Sequence, residues 1–218
     1  MHNFKKILAI FTLTFTLIIL FTLQVCQAQN LSGSLYVTKY VTNGGDGKIL
    51  EFDLTTLNEV REINIGIQPV SIDYLEPGKL LIADHGSNSL IIVNEADFSI
   101  LNEIQTSPSL PLYSSNQVRI TPDREYAYVL NYQHNNVSIV SLNDYSIVKK
   151  VQTGSAPRGL YFDSMHNMAY ICCHYGSPDV IKIDMTTLNV VGTIDYGGYK
   201  PTGCVVHELN NWLYIPAH

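Results

Sequence analysis

Residues 127–151 read AYVLNYQHNNVSIVSLNDYSIVKKV. Ala127-Tyr128-Val129 sets a small, an aromatic and a β-branched residue in a row. A polar stretch from Asn131 to Asn136 follows, then a second apolar run, Val137-Ser138-Ile139-Val140. Ser141-Leu142-Asn143-Asp144-Tyr145-Ser146 reads as a turn, because Asn, Asp and Ser side chains bond nearby backbone groups. Another apolar run ends at Val151. Short runs of β-branched and aromatic residues between such turns predict strands joined as hairpins.

The same unit recurs on both sides of this stretch. Its anchor returns as Leu35-Tyr36-Val37, Leu80-Leu81-Ile82, Ala169-Tyr170-Ile171 and Leu213-Tyr214-Ile215. A polar turn precedes each later anchor, for example Glu76-Pro77-Gly78-Lys79 and Thr121-Pro122-Asp123-Arg124. The turn after the second run reads Asp53-Leu54-Thr55-Thr56-Leu57-Asn58 in its first copy and Asp184-Met185-Thr186-Thr187-Leu188-Asn189 in its last. Four strands per ~40–45 residues is the period of a β-propeller blade. One such sheet cannot bury both faces alone, and stacking blades does it.

These residues resemble the YVTN-type seven-bladed propeller repeat. Tyr40-Val41-Thr42-Asn43 is a literal YVTN, and Gly154-Ser155-Ala156-Pro157-Arg158-Gly159 and Lys200-Pro201-Thr202-Gly203 resemble the family's Gly-x-x-Pro-x-Gly lead-in to the next innermost strand. The resemblance covers 34–218 and is specific for architecture rather than activity. It implies an all-β propeller of four-stranded antiparallel blades, with about four blades and a partial one in 218 residues. A seven-bladed ring at that period needs roughly 300 residues. The expectation is therefore that His218 is not the natural C-terminus; a short propeller closed by oligomerisation is the alternative.

The N-terminus predicts export. Lys5 and Lys6 precede Ile7–Leu23, a stretch without charge, Gly or Pro, and Cys26 and Ala28 supply the small-residue pattern before a cleavage point at Gln29. Residues 1–28 thus read as a signal peptide and 29–218 as the propeller. An uncleaved anchor is the alternative, at the lower end of the ~17–25 residues that span a bilayer. Nothing after Leu23 is long and apolar enough to cross, so the processed chain is not expected to be integral to a membrane. A periplasmic or extracellular location follows. Cleavage removes two lysines and no acid, taking the formal net charge from −6 to −8. That charge excludes a nucleic-acid partner, which needs clustered Lys and Arg.

Candidate chemistry is sparse. The chain has no G-x-S-x-G, H-E-x-x-H or P-loop lysine, so no catalytic residue is assigned and no activity of its own is expected. Five residues after the first position of each anchor stand Tyr40, His85, Tyr132, His174 and His218, at the end of the second strand of each blade. Such a column suits binding a ligand, or a metal through His85, His174 and His218, since imidazole is a common metal ligand. The competing expectation is that each side chain packs the top of its blade and bonds the next loop. No cofactor is predicted; a metal is the one considered. Asp84 stands ready to orient His85. Cys172, Cys173 and Cys204 are an odd set. Adjacent strand cysteines point to opposite faces, so the alternatives are one disulfide of Cys204 with Cys172 or Cys173, or free buried thiols. Asn30-Leu31-Ser32 and Asn136-Val137-Ser138 are glycosylation sequons without assigned function.

The reading of function is an exported, non-enzymatic propeller that binds a protein partner or small ligand through its loop face. The longest loop, Ser107 to Asn116, is the best single contact. The resemblance also implies an alternative: the propeller subunit of a periplasmic redox or metal enzyme complex, such as the propeller of hydrazine synthase. A surface-layer protein is the third reading.

Overall fold

The computed structural model describes residues 33–39, 46–108, 115–175, 177–195, 197, 200–207 and 209–216. The predicted signal peptide, Tyr40-Val41-Thr42-Asn43, Asn30 and His218 lie outside the described residues. The described residues form strands β1 (Ser34–Lys39), β2 (Lys48–Asp53), β3 (Glu59–Asn64), β4 (Pro69–Leu75), β5 (Lys79–Asp84), β6 (Ser89–Asn94), β7 (Ile100–Gln105), β8 (Ser115–Ile120) and β9 (Tyr126–Asn131). They continue with β10 (Asn136–Ser141), β11 (Ile147–Gln152), β12 (Ser155–Asp163), β13 (Met168–Tyr175), β14 (Val180–Asp184), β15 (Asn189–Ile194), β16 (Val205–His207) and β17 (Trp212–Tyr214). Consecutive strands pair antiparallel within sheets β4-β5-β6-β7, β8-β9-β10-β11 and β12-β13-β14-β15, with three strands in β1-β2-β3 and two in β16-β17. The anchor triplets fall on β5, β9 and β13, the second strands of the three four-stranded sheets, and on β1; Leu213 and Tyr214 of the last triplet lie on β17.

Two compact units divide the chain. In the first, Met1–Leu35 with Glu51–Arg61, the Glu51 carboxylate accepts from the Ser34 hydroxyl and the Arg61 guanidinium. The second, Tyr36–Leu50 with Glu62–His218, holds the inter-sheet clusters and the candidate site described below.

Within the second unit the period-two alternation of strands explains how each middle strand serves two cores. On β5 and β6, Leu80, Ile82, Ile91 and Val93 face one hydrophobic cluster with Ile49 and Phe98. Leu81, Ala83, Leu90 and Ile92 face another, with Val118, Ala127, Val129 and Val140 of the next sheet. Tyr128, Leu130, Val137 and Ile139 turn the opposite way and pack on Ala169, Ile171, Cys173, Ile181 and Ile183. The sheets β4–β7 and β8–β11 are thus oily on both sides, and each needs a neighbour on each. The outer strand β7 mixes exposed and half-buried positions instead, and β15 is exposed at every position but Gly192. Edge amides of β8 are satisfied from the neighbouring sheet: Ile120 N–H donates to Asp73 Oδ2 at 2.9 Å and Val118 N–H to the Ser71 hydroxyl at 3.3 Å.

The turns between third and fourth strands close as the sequence suggests. Asp53 Oδ1 accepts from the N–H groups of Thr55 and Thr56, and Asp184 Oδ1 from those of Thr186 and Thr187. The fifth residue of each turn, Leu57, Phe98, Tyr145 or Leu188, takes a left-handed backbone with φ near 56–59°. Leu, Phe and Tyr gain nothing locally from that conformation. Three of the four compensate through packing, with Phe98, Tyr145 and Leu188 each set against an inter-sheet cluster.

Candidate functional site

One edge of the sheets collects the ends of β5, β9 and β13, the starts of β4, β8 and β12, and the connections between successive sheets. Three features repeat along it. The first is a set of buried grips. Asp84, the last residue of β5 and fully buried, accepts from Ile67 N–H at 2.9 Å, Gln68 N–H at 2.6 Å and the Ser87 hydroxyl at 2.7 Å. These amides belong to the connection Gly66-Ile67-Gln68, which leads into Pro69. Gly66 has φ 62°, and a Cβ there would stand 2.8 Å from the Asp84 carboxylate, so only glycine lets the chain wrap it. Asn131 holds the corresponding place on β9. Its Oδ1 accepts from the Thr106 hydroxyl at 3.0 Å, and its Nδ2 donates to Ser138 at 2.9 Å. Cys173 holds it on β13, buried beside Thr153 and Gly154, its thiol pushed up to about 11 mainly by burial.

The sequence expectation that Asp84 orients His85 is therefore corrected. Successive strand residues point to opposite faces, and the Asp84 oxygens are taken by the connection. His85 instead reaches the backbone of Ser115, the first residue of the next sheet. Burial holds its imidazole below the ordinary pKa, against weaker opposing pulls from Ser115 and Asp84.

The second feature is the predicted column. Tyr40 and His218 lie outside the described residues; His85, Tyr132 and His174 are described. Tyr132 is half-buried beside the phenol of Tyr175. Burial first, then Tyr175, push its hydroxyl above the usual phenol range, while Arg158 pulls it back. His174 is buried and meets the Tyr175 ring edge-on, centroids 4.4 Å apart at 72°. Among the described residues no group of three or more His, Cys, Asp or Glu is placed to hold a metal ion.

The third feature escaped the sequence reading. Register slips once in each inner strand, leaving Val70, Asn116 and Arg158 as the extra residue opposite β5, β9 and β13. Such bulges re-aim side chains at sheet rims. Arg158 is exposed. Tyr175, 46% exposed, carries the Lys200 ammonium 5.3 Å above its ring centre, within cation–π range. Two cations and two phenols thus share this edge. The signal was the x of Gly-x-x-Pro-x-Gly, which is the bulged residue itself. Of the loop singled out in the sequence, residues 109–114 lie outside the described ones, and Ser115 and Asn116 belong to β8.

At the opposite edge a groove of about 450 Å³ runs past Asp163, His166, Tyr170, Lys182 and Asn211. Asp163 is fully buried and accepts from the His166 backbone at 3.1 Å and pairs with His166 Nδ1 at 2.8 Å. That pair staples the β12–β13 turn. Among the described residues no Ser, Thr or Cys lines the groove.

The lowered pKa of His85 carries a pH consequence. A folded-state pKa below the unfolded one means the unfolded chain binds more protons between the two values, so stability rises with pH there. Acidification from about pH 8 to about pH 5 across the histidine range is expected to destabilise the protein, and His85→Gln to flatten that dependence. Urea midpoints of both proteins at each pH check this; parallel curves would refute it.

No known family profile matches the chain. No curated protein matches it in sequence. Solved structures do. Kuenenia stuttgartiensis hydrazine synthase is similar at 21% identity and TM-score 0.54, over 63% of this chain and 38% of that one. The Swd1 β-propeller domain of Myceliophteria thermophila is similar at 13% identity and TM-score 0.60, over 86% of this chain and 65% of that one. A chain of the mitotic checkpoint complex is similar at 10% identity and TM-score 0.64, over 79% of this chain and 54% of that one. The chain spans less than two thirds of the length of each. With the sheet topology these likenesses establish the fold, an all-β propeller of four-stranded antiparallel blades.

Proposed function

We propose that the chain is an exported, non-enzymatic β-propeller of the YVTN type. It binds a protein partner or small ligand across the edge that carries Tyr132, Arg158, Tyr175 and Lys200. The reading rests on one observation: an exposed Tyr175, its ring under Lys200, its neighbour Tyr132 within reach of Arg158. Aromatic rings and Arg are the residue types that dominate binding hot spots. Two cations on a chain of net charge −6 suit an anionic group on the ligand. Export is supported by residues 1–28.

Affinity capture from periplasmic and secreted fractions tests it. The wild-type chain should retain a specific partner, and Arg158→Glu with Lys200→Glu should weaken it about tenfold or more. Equal retention by the double variant, or an empty capture accompanied by metal-dependent turnover, would sink the reading.

A second reading, a propeller subunit of a periplasmic redox complex, draws on His85 and His174 at equivalent places on separate blades. Burial lowers the His85 pKa and so favours the neutral imidazole, the form that ligates metals. Stoichiometric copper, iron or zinc in the purified chain, lost in His85→Ala and His174→Ala, would favour it.

A further inference from the structure

We propose that Cys172 and Cys204 are a paired site of covalent modification, converted by a disulfide-bearing oxidant into a cross-link between the sheet β12–β15 and the segment leading into β16.

Strand alternation separates the two adjacent cysteines. Cys173 faces the cluster shared with β9 and β10, together with Ala169 and Ile171. A Cβ at Gly154 would meet its Cβ at 3.0 Å and its Sγ at 3.1 Å, so that thiol is walled in. Cys172 and Tyr170 take the other face of β13. Opposite Cys172 in register stands Gly159. A Cβ on Gly159 would lie 2.5 Å from Gly203 Cα and 2.7 Å from Thr202 O. Gly159, lacking a Cβ, therefore lets Thr202 and Gly203 touch the sheet beside Cys172. Cys204, the residue before β16, reaches Tyr170 O with its Sγ at 3.9 Å. That places it beside the Cys172 thiol, and it is the first cause of that thiol's keeping its proton. Cys172 is fully buried and Cys204 half-buried, so an external reagent reaches Cys204 first.

The chemistry is two successive exchanges. The Cys204 thiolate attacks one sulfur of the oxidant's disulfide, forming a mixed disulfide and releasing the first thiolate. Cys172, deprotonated in turn, attacks Cys204 Sγ. The protein S–S bond forms and the second thiolate leaves. The two cysteines lose two protons and two electrons, and the oxidant becomes two thiols. Cys204, together with burial, holds the Cys172 proton far above the usual thiol range, so the second step is the slow one and quickens with pH. Neither cysteine is among the residues assigned to the partner-binding edge.

The test incubates the reduced, purified full chain with oxidised glutathione in mildly alkaline buffer, then alkylates, digests and maps it by mass spectrometry. One linked peptide joining Cys172 to Cys204 is expected, with Cys173 recovered alkylated. The oxidised protein should melt higher than the reduced one, the difference vanishing in dithiothreitol and in Cys204→Ser but persisting in Cys173→Ser. Alkylation of all three thiols at equilibrium, a bond to Cys173, or a glutathione adduct that stays on Cys204 would each overturn the assignment. The wild-type map needs no variant to fold.

Discussion

Asp84→Ala is expected to lower stability by about 3 kcal/mol, because it orphans two backbone amides inside the protein at about 1–3 kcal/mol each. The carboxylate is fully buried and is the acceptor for Ile67 and Gln68 N–H, at 2.9 and 2.6 Å. Asp84→Asn should fall between, since its amide has one accepting oxygen and would confront the second N–H with a donor. Urea midpoints rank the three proteins. Native-state hydrogen exchange adds a local readout: the Ile67 and Gln68 amides should be protected in the wild type and open in the alanine variant. Unchanged protection there would show that the connection is held by something else. The functional stake is positional, because this connection sets where β4 begins and where Val70 bulges.

Asp84 also shows what the sequence concealed. Next to His85 in the chain, it reads as that histidine's partner. A strand makes neighbours in sequence opposites in space, and the carboxylate belongs to a connection some seventeen residues upstream. The strands and their turns were legible because they are local. Apolar triplets repeat in phase, and Asp53 and Asp184 cap their own turns within three residues. The left-handed residues at Phe98, Tyr145 and Leu188 were not, since their cost is offset only by packing on another sheet.

The candidate site divides the same way. A repeat reveals columns, so His85, Tyr132 and His174 stood out. Tyr175 lies one residue beyond the column, where the other blades have Gly86 and Gln133. It is therefore invisible to any search for recurrence. Lys200 meets it from the next connection. What distinguishes one blade from another is what a repeat-based reading discards, and a specific partner must recognise a difference.

Gly154→Ala is the second large effect expected. A Cβ there would sit 2.1 Å from Pro178 O and 3.0 Å from Cys173 Cβ. Neither is the far end of a flexible side chain, so backbone must move. Overpacking of this kind costs typically 1–3 kcal/mol. At the upper end the melting temperature falls by about 6–12 °C for a chain of this size. Gly192→Ala is the internal control. It has only Lys182 Cβ at 3.9 Å for a neighbour, and alanine removes chain entropy from the unfolded state. That variant should gain about 0.5–1 kcal/mol. Scanning calorimetry of the two should give opposite signs. Gly154 also begins the Gly-Ser-Ala-Pro lead-in that ends at the Arg158 bulge. Displacing it should shift that guanidinium relative to Tyr132 and weaken partner capture even where the protein stays folded. Capture at wild-type strength by a folded Gly154→Ala protein would instead separate the lead-in from the binding edge and place the recognition elsewhere on the blades.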